Sequence, residues 1–415
     1  MFYKLIKLTL AFTIVNTLFF SCQKKANENM AGSWRATIKT DGGDLPFHLI
    51  FEKNADSTTY AITVINGDEK LELDNTFIKD DSIHIPIEIF DAEIVAKVSG
   101  QKMEGYWKRY IGGEKYISSS FLAYFGEKDR FIPISGNEPN NINGKWATTF
   151  VSANGKDTTV SVGIFEQKGK AVKGTFLTTT GDYRYLDGIV DGDSLKLSCF
   201  DGTHLFLFKA KNDGNKLNGK FWSNIHGLEN WTATRDDNAK LPDVNKLTFL
   251  KPGYNKIAFA FPATNGKIVN IDDKAFENKV KIIQIMGTWC PNCMDETKYL
   301  APWYEKNKAR GIEIIGLSYE KSTDLAIAGP KIDKMKNRFG MTYPVLLAGS
   351  KGNDGASKSL PMLNKVLGFP TTIIIDKKGI VRQIHTGFSG PSTGEYYQEW
   401  IQDFNLLIDK LVDEK

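Results

Sequence analysis

Gly287-Thr288-Trp289-Cys290-Pro291-Asn292-Cys293 decides how this chain reads. The apolar run before it, 280–286, has the composition of a buried strand, and residues 294–308 after it have a helical pattern. Two cysteines with two residues between them at a strand-to-helix junction form a redox pair. A helix N-terminus carries unpaired N–H groups and a partial positive charge, which favour a thiolate over a thiol. Cys290 is therefore expected at that N-terminus with its sulfur exposed. Cys293 is expected one turn in, close enough to close a disulfide. The competing uses of such a pair lack their partners. Zinc needs four ligands, usually a second such pair or two histidines, but the other cysteines are Cys22 and Cys199 and the five histidines are scattered. A c-type haem needs His directly after the second Cys, where Met294 stands. An inert structural disulfide is the remaining bland alternative. No metal and no organic cofactor is called for.

With 415 residues the chain has room for two or three domains, and 41% hydrophobic with 25% charged residues is ordinary globular composition. The net charge of +4 is spread without a long basic block, so nothing predicts nucleic-acid binding.

The N-terminus reads as targeting. Lys4 and Lys7 precede an apolar stretch, 8–20, that is too short to span a bilayer. It ends at Phe19-Phe20-Ser21-Cys22, which resembles a bacterial lipoprotein signal with Cys22 as the lipidated residue, although Phe19 stands where Leu is usual. An ordinary cleaved signal peptide is the alternative. Residues 1–22 are thus assigned to the signal and 23–30 to a tether. A diacylated or triacylated Cys would hold the protein to a membrane, where one chain would not. The expected location is the cell envelope, on the periplasmic side of the inner or outer membrane, where disulfides persist. A mature chain with so few cysteines is not a disulfide-stapled scaffold, which favours a catalytic pair. Cys199, in Leu197-Ser198-Cys199-Phe200, is expected in a buried strand.

Between these ends lies a duplication. Gly32-Ser33-Trp34 returns as Gly144-Lys145-Trp146, and Asp80-Asp81-Ser82-Ile83 as Gly192-Asp193-Ser194-Leu195. Phe90-Asp91-Ala92 returns as Phe200-Asp201-Gly202, and Lys102-Met103-Glu104-Gly105 as Lys216-Leu217-Asn218-Gly219. The matches keep their order at a spacing of roughly 110 residues. Short alternating segments punctuated by turn residues make each copy an antiparallel β unit. The fold class expected is multidomain: an all-β region of two repeats, 31–127 and 141–237, as barrels or sandwiches, then a linker, 241–253, and a C-terminal α/β domain, 254–415. The Gly-x-Trp openings resemble those of lipocalin-like barrels, although Trp and Gly at strand starts commonly serve packing.

From Tyr254 onward the chain resembles the TlpA/ResA family of membrane-tethered, thioredoxin-like thiol-disulfide oxidoreductases. The resemblance rests on Phe259-Ala260-Phe261-Pro262 with Asn265-Gly266-Lys267, on Gly287-Thr288-Trp289-Cys290 with Cys293, and on Phe369-Pro370-Thr371-Thr372 leading into Ile373-Ile374-Ile375-Asp376. The segment between the two active motifs is longer than in thioredoxin, as in this family; it contains a helical pattern, 330–339, and a polar loop, 349–359. Residues 396–412 read as the closing helix. The resemblance implies a thioredoxin-like fold in which Cys290 attacks a client disulfide and Cys293 resolves the mixed disulfide. It also implies a cis peptide at Pro370, with the backbone of Phe369 pairing with the client chain. Trp289 would flank the disulfide, and Pro291 suits a first helical turn, where a missing N–H costs little.

Two departures stand out. Where thioredoxin keeps a buried Asp, this chain has Gln284, which cannot take a proton. Glu296, three residues after Cys293, stands where some family members place the proton acceptor; its other reading is a solvated or capping carboxylate. Phe369 replaces the smaller residues common before the proline. His385 reads as structural. The expected function is reduction of protein disulfides outside the cytoplasm. Oxidised protein thiols, apocytochrome c among them, would be clients, and a membrane thiol-electron donor would supply the reductant that this compartment lacks. The alternatives are an oxidase or isomerase with the same site, since Pro291-Asn292 is neither the thioredoxin nor a typical oxidase dipeptide, and a binding lipoprotein whose β duplication carries the function. A peroxidase is disfavoured by Gly287 where a Thr or Ser would be needed.

Overall fold

The computed structural model describes residues 29–55, 59–73, 76–112 and 115–414. The sequence assignments to 1–22, including Cys22, lie outside them. Among the described residues no helix is long and apolar enough to cross a membrane.

Alternation of buried and exposed positions, as in Gly32–Thr40, builds two antiparallel sheets of nine described strands each. In the first, Gly32–Thr40 lies between Gly43–Lys53 and Lys115–Phe125, while Glu69–Glu72 and Phe77–Lys79 form the two edges among the described residues. This sheet is an open half-barrel. In the second, Gly144–Ser152 takes the same central place, and Thr158–Lys168 pairs with Ala171–Thr178 to close the barrel. The repeat is visible in detail. Trp34 and Trp146 are both buried, and Gly105 and Gly219 both lie where a Cβ would strike the carbonyl of the facing strand, Val95 or Lys209.

Aromatic side chains fill the barrel. Phe150, Phe176, Phe208, Phe221 and Trp231 are buried and meet edge-to-face or stacked, with Phe208 and Phe221 centroids 4.2 Å apart. Cys199 sits fully buried in the strand Ser194–Phe200, as the sequence suggested. The half-barrel packs on the barrel through Phe47 against Phe200, 4.3 Å between centroids, and through Ser198 Oγ donating to the Pro46 carbonyl at 2.7 Å.

The C-terminal region is thioredoxin-like. Its five-stranded sheet runs Val345–Ser350, Ile312–Glu320, Val280–Met286, Thr371–Ile375, Val381–Thr386, the first three parallel and the last two antiparallel. Helices α1 (Pro291–Asn307), α2 (Leu325–Phe339), α3 (Asn353–Ser359) and α4 (Glu395–Asp413) accompany it. The segment expected as a polar loop therefore ends in a short helix. Gly352, with φ of 112°, makes the turn before it, and Asn353 Nδ2 donates to the Leu367 carbonyl at 2.7 Å. The segment 241–253 packs on this sheet, with Asn245 Oδ1 facing Gln383 Nε2 at 2.8 Å and His385 Nδ1 at 3.0 Å. Burial holds the His385 imidazole down to about 4.

Phe176→Ala is expected to lower the stability of the β region by about 3–5 kcal/mol through loss of buried area and cavity formation. Urea unfolding followed by tryptophan fluorescence reads this; an unchanged midpoint would mean that the aromatic interior is not the stabilising core.

Candidate active site

Every residue of Val280–Met286 is buried, as befits a central strand covered on both faces. It delivers the chain to Gly287, where a Cβ would stand 2.4 Å from the Trp289 indole nitrogen; glycine lets Trp289 fold back and donate to the Tyr319 carbonyl at 2.7 Å. Thr288 is fixed by Glu320, which accepts from its N–H at 2.9 Å and its hydroxyl at 2.7 Å. The turn therefore presents Cys290 as the N-cap of α1, with Pro291 in the first turn. Cys290 Sγ accepts from the Cys293 N–H at 3.2 Å, and the two cysteines form a disulfide. The Phe369–Pro370 bond is cis, and the Phe369 carbonyl oxygen lies 3.6 Å from Cys290 Sγ. Phe369 packs between Trp289 and Tyr319, with centroids at 5.3 and 5.7 Å.

Glu296 is wholly buried rather than on a solvated helix face. One turn beyond Cys293, it shares that residue's side of the helix. Its oxygens accept from Gln284 Nε2 at 2.8 Å and Thr372 Oγ1 at 2.5 Å. Burial raises its carboxyl to about 7, and these two hydrogen bonds only partly offset the rise. Gln284, the departure from thioredoxin, thus anchors a carboxyl supplied by the helix. Thr372, read in the sequence only as part of the proline motif, links that carboxyl to the strand that follows Pro370.

The Redoxin family matches residues 237–398. The thiol-disulfide oxidoreductase ResA of Geobacillus kaustophilus is 31% identical over 141 residues, which cover 32% of this chain and 72% of that protein. The chain belongs to the ResA family of thiol-disulfide oxidoreductases. The thiol:disulfide interchange protein DsbE of Haemophilus influenzae is also 31% identical, over 32% of this chain and 62% of its own length, so the chain spans less than two thirds of that relative. A thioredoxin-family thiol:disulfide interchange protein of Chlorobium tepidum, known by crystal structure, is 19% identical with a TM-score of 0.30, covering 38% of this chain and 95% of its own.

One expectation for the ResA-type pair is corrected. Cys290 is 5% exposed, not open to solvent. The Phe369 carbonyl stands beside its sulfur, and the barrel reaches over the neighbouring residues. The tip of the hairpin Ala171–Thr178/Gly181–Asp182 touches the site: a Cβ on Gly181 would stand 2.0 Å from Asn292 Nδ2, and one on Gly368 would stand 2.6 Å from Thr180 Cγ2. On the Trp289 side a cavity of about 260 Å³ lies between the half-barrel and α2, and Lys321 and Lys331 both pair with Asp91 there. Lys351 Nζ stands over the Trp289 ring, 4.1 Å from its centroid.

No motif or spacing in the sequence pointed to Arg184. This barrel residue is buried, pairs with Asp295 of α1, contacts Glu69 of the half-barrel at 2.6 Å, and lies 3.4 Å from Asp201. Burial lowers its affinity for a proton, but Glu69, Asp201 and Asp182 outweigh that and push it up.

The buried carboxyl gives the oxidised protein a pH signature. The folded state holds the Glu296 proton up to about pH 7 while the unfolded chain releases it near 4.5. Its contribution is therefore complete below 4.5 and is lost as pH rises to about 7. Glu296→Gln is expected to remove a fall in stability on the order of 3 kcal/mol across that window, measured by denaturation at a series of pH values. An identical pH profile in the variant would place the titration elsewhere.

Proposed function

We propose that this chain is a reductase of protein disulfides, lipid-anchored at Cys22 on the periplasmic side of the cell envelope. Cys290 is the client-facing nucleophile. Its thiolate attacks a client disulfide, forming a Cys290–client disulfide and releasing one client thiolate, which takes up a proton. Cys293 then gives its proton to Glu296 and attacks Cys290 Sγ, releasing the second client sulfur. Two electrons pass to the client, and the enzyme is left with the Cys290–Cys293 disulfide. A donor dithiol in the membrane, of the kind the family resemblance suggests, returns it to the reduced state. Phe369 and Pro370 hold the client backbone, with Trp289 and Pro291 beside it. Oxidised apocytochrome c is the client class that the resemblance suggests.

The observation that carries this reading is the pairing of an N-capping Cys290 with a buried Glu296 held near neutrality. A carboxyl of that kind is matched to accepting the Cys293 proton at working pH. The reducing direction draws support from what surrounds the sulfurs. Strong oxidants stabilise their reduced thiolate. Here Cys290 Sγ meets one backbone N–H and one carbonyl oxygen, with no cationic side chain hydrogen-bonded to it among the described residues. The aromatic filling of the barrel weighs against a ligand-binding reading of the β region.

The reduction potential of the pair, equilibrated against a defined thiol buffer, tests the direction. A value near that of thioredoxin, about −270 mV, is expected; a value near −120 mV would make the protein an oxidant and overturn the reductase reading.

A further inference from the structure

The Thr178–Asp182 turn is built to sit on the redox site. Thr180 lies against two active-site glycines. A Cβ on Gly368, two residues before the cis proline, would stand 2.6 Å from its Cγ2, and one on Gly387 would stand 2.7 Å from its carbonyl carbon. Gly181 meets Asn292, between the two cysteines, and the Asp182 carbonyl accepts from Asn292 Nδ2 at 3.4 Å. The Asp182 carboxylate fixes the far side, accepting from the Gly390 N–H at 2.8 Å and the Ser392 hydroxyl at 3.1 Å. Arg184 follows with a φ of 62°, an uncommon conformation for a non-glycine residue, and pairs with Asp295 on α1. The Cys290–Cys293 disulfide beneath is almost wholly buried. A Cβ at 387 would strike the Thr180 backbone and one at 368 its side chain, so the fit depends on small groups at these two glycines.

We propose that Asn292, Gly368 and Gly387 form a seat for a chain segment with small side chains, and that the barrel's own hairpin tip, Thr179-Thr180-Gly181, fills this seat until a client chain displaces it. The partner this seat fits is a protein whose reactive cysteine is flanked by small residues such as Gly, Ala, Ser or Thr. The β region is then a built-in competitor for the client groove, held by Asp182 and Arg184, and a client must outbind it to reach Cys290. This rests on Cys290 being the client-facing sulfur.

The test is the alkylation rate of Cys290 in the reduced full chain with iodoacetamide, read by mass spectrometry of the peptide carrying it. This reagent needs no client, so the result reports the cover alone. Failure of an uncovered variant to exchange with any disulfide would instead count against the proposed reductase. Asp182→Ala removes the bonds to Gly390 and Ser392, and Asp182→Asn keeps acceptor capacity and should fall between it and wild type. Thr180→Gly keeps the hairpin backbone while removing the side chain from Gly368, which guards against a folding defect in the first variant. Asp182→Ala and Thr180→Gly are expected to raise the rate by about tenfold, the effect of ~1.4 kcal/mol less closure, whereas a change below about twofold in both folded variants would overturn the proposal. Slower alkylation in the variants would overturn it equally.

Discussion

One buried guanidinium ties three parts of this molecule together. Arg184 comes from the closed barrel, Glu69 from the half-barrel and Asp295 from the helix that begins at the paired cysteines Cys290 and Cys293. A buried cation of this kind needs paired carboxylates, and leaving any of them unpaired costs several kcal/mol. Asp201, held down to about 2 by His204 and Arg184 despite its burial, completes the cluster. The cluster fixes more than stability. It sets the turn Thr178–Asp182 against Asn292, Gly368 and Gly387, so the electrostatic tie and the steric cover of the active site are one arrangement.

The chemistry beneath that cover depends on a second placement. Three elements meet at the Glu296 carboxyl: the central strand Val280–Met286, the helix after it and the strand Thr371–Ile375 that follows the cis proline. Here each contributes one member of a buried hydrogen-bonded set: Gln284, Glu296 and Thr372. The carboxyl that burial raises is the one that the departure at Gln284 allows. A second acid at 284 would set two carboxyls side by side, and repulsion would force one of them to stay protonated.

What could be read from the sequence was local. The Cys pair, the strand before it, the helix after it, the proline motif and the closing helix are each specified by neighbouring residues, and the repeat by recurring Gly-Trp and Lys-x-x-Gly patterns. The family resemblance singled out Glu296, but the Thr372 hydroxyl that holds its buried carboxyl comes from 76 residues away. Arg184 and Asp295 are separated by 111 positions, and no periodicity reports such a contact. The choice between open and closed sheets was equally hidden. Both copies share one strand pattern, and closure turns on the strand after that: Ala171–Thr178 pairs with both Thr158–Lys168 and Leu186–Asp191, whereas among the described residues its counterpart Tyr60–Asn66 pairs with Gly43–Lys53 and Glu69–Glu72 and leaves Phe77–Lys79 at the far end of the sheet. The exposed sulfur expected at the helix N-terminus was wrong for a related reason: what covers it comes from a different part of the chain.

Mixed-disulfide trapping tests the central claim, that Cys290 meets the client and Cys293 resolves. Reduced Cys293→Ser protein mixed with a peptide disulfide should accumulate one covalent adduct, located on Cys290, and Cys290→Ser should accumulate none under the same conditions. An adduct on Cys293 in the Cys290→Ser protein, with none on Cys290 in the Cys293→Ser protein, would reverse the assigned roles and contradict the account.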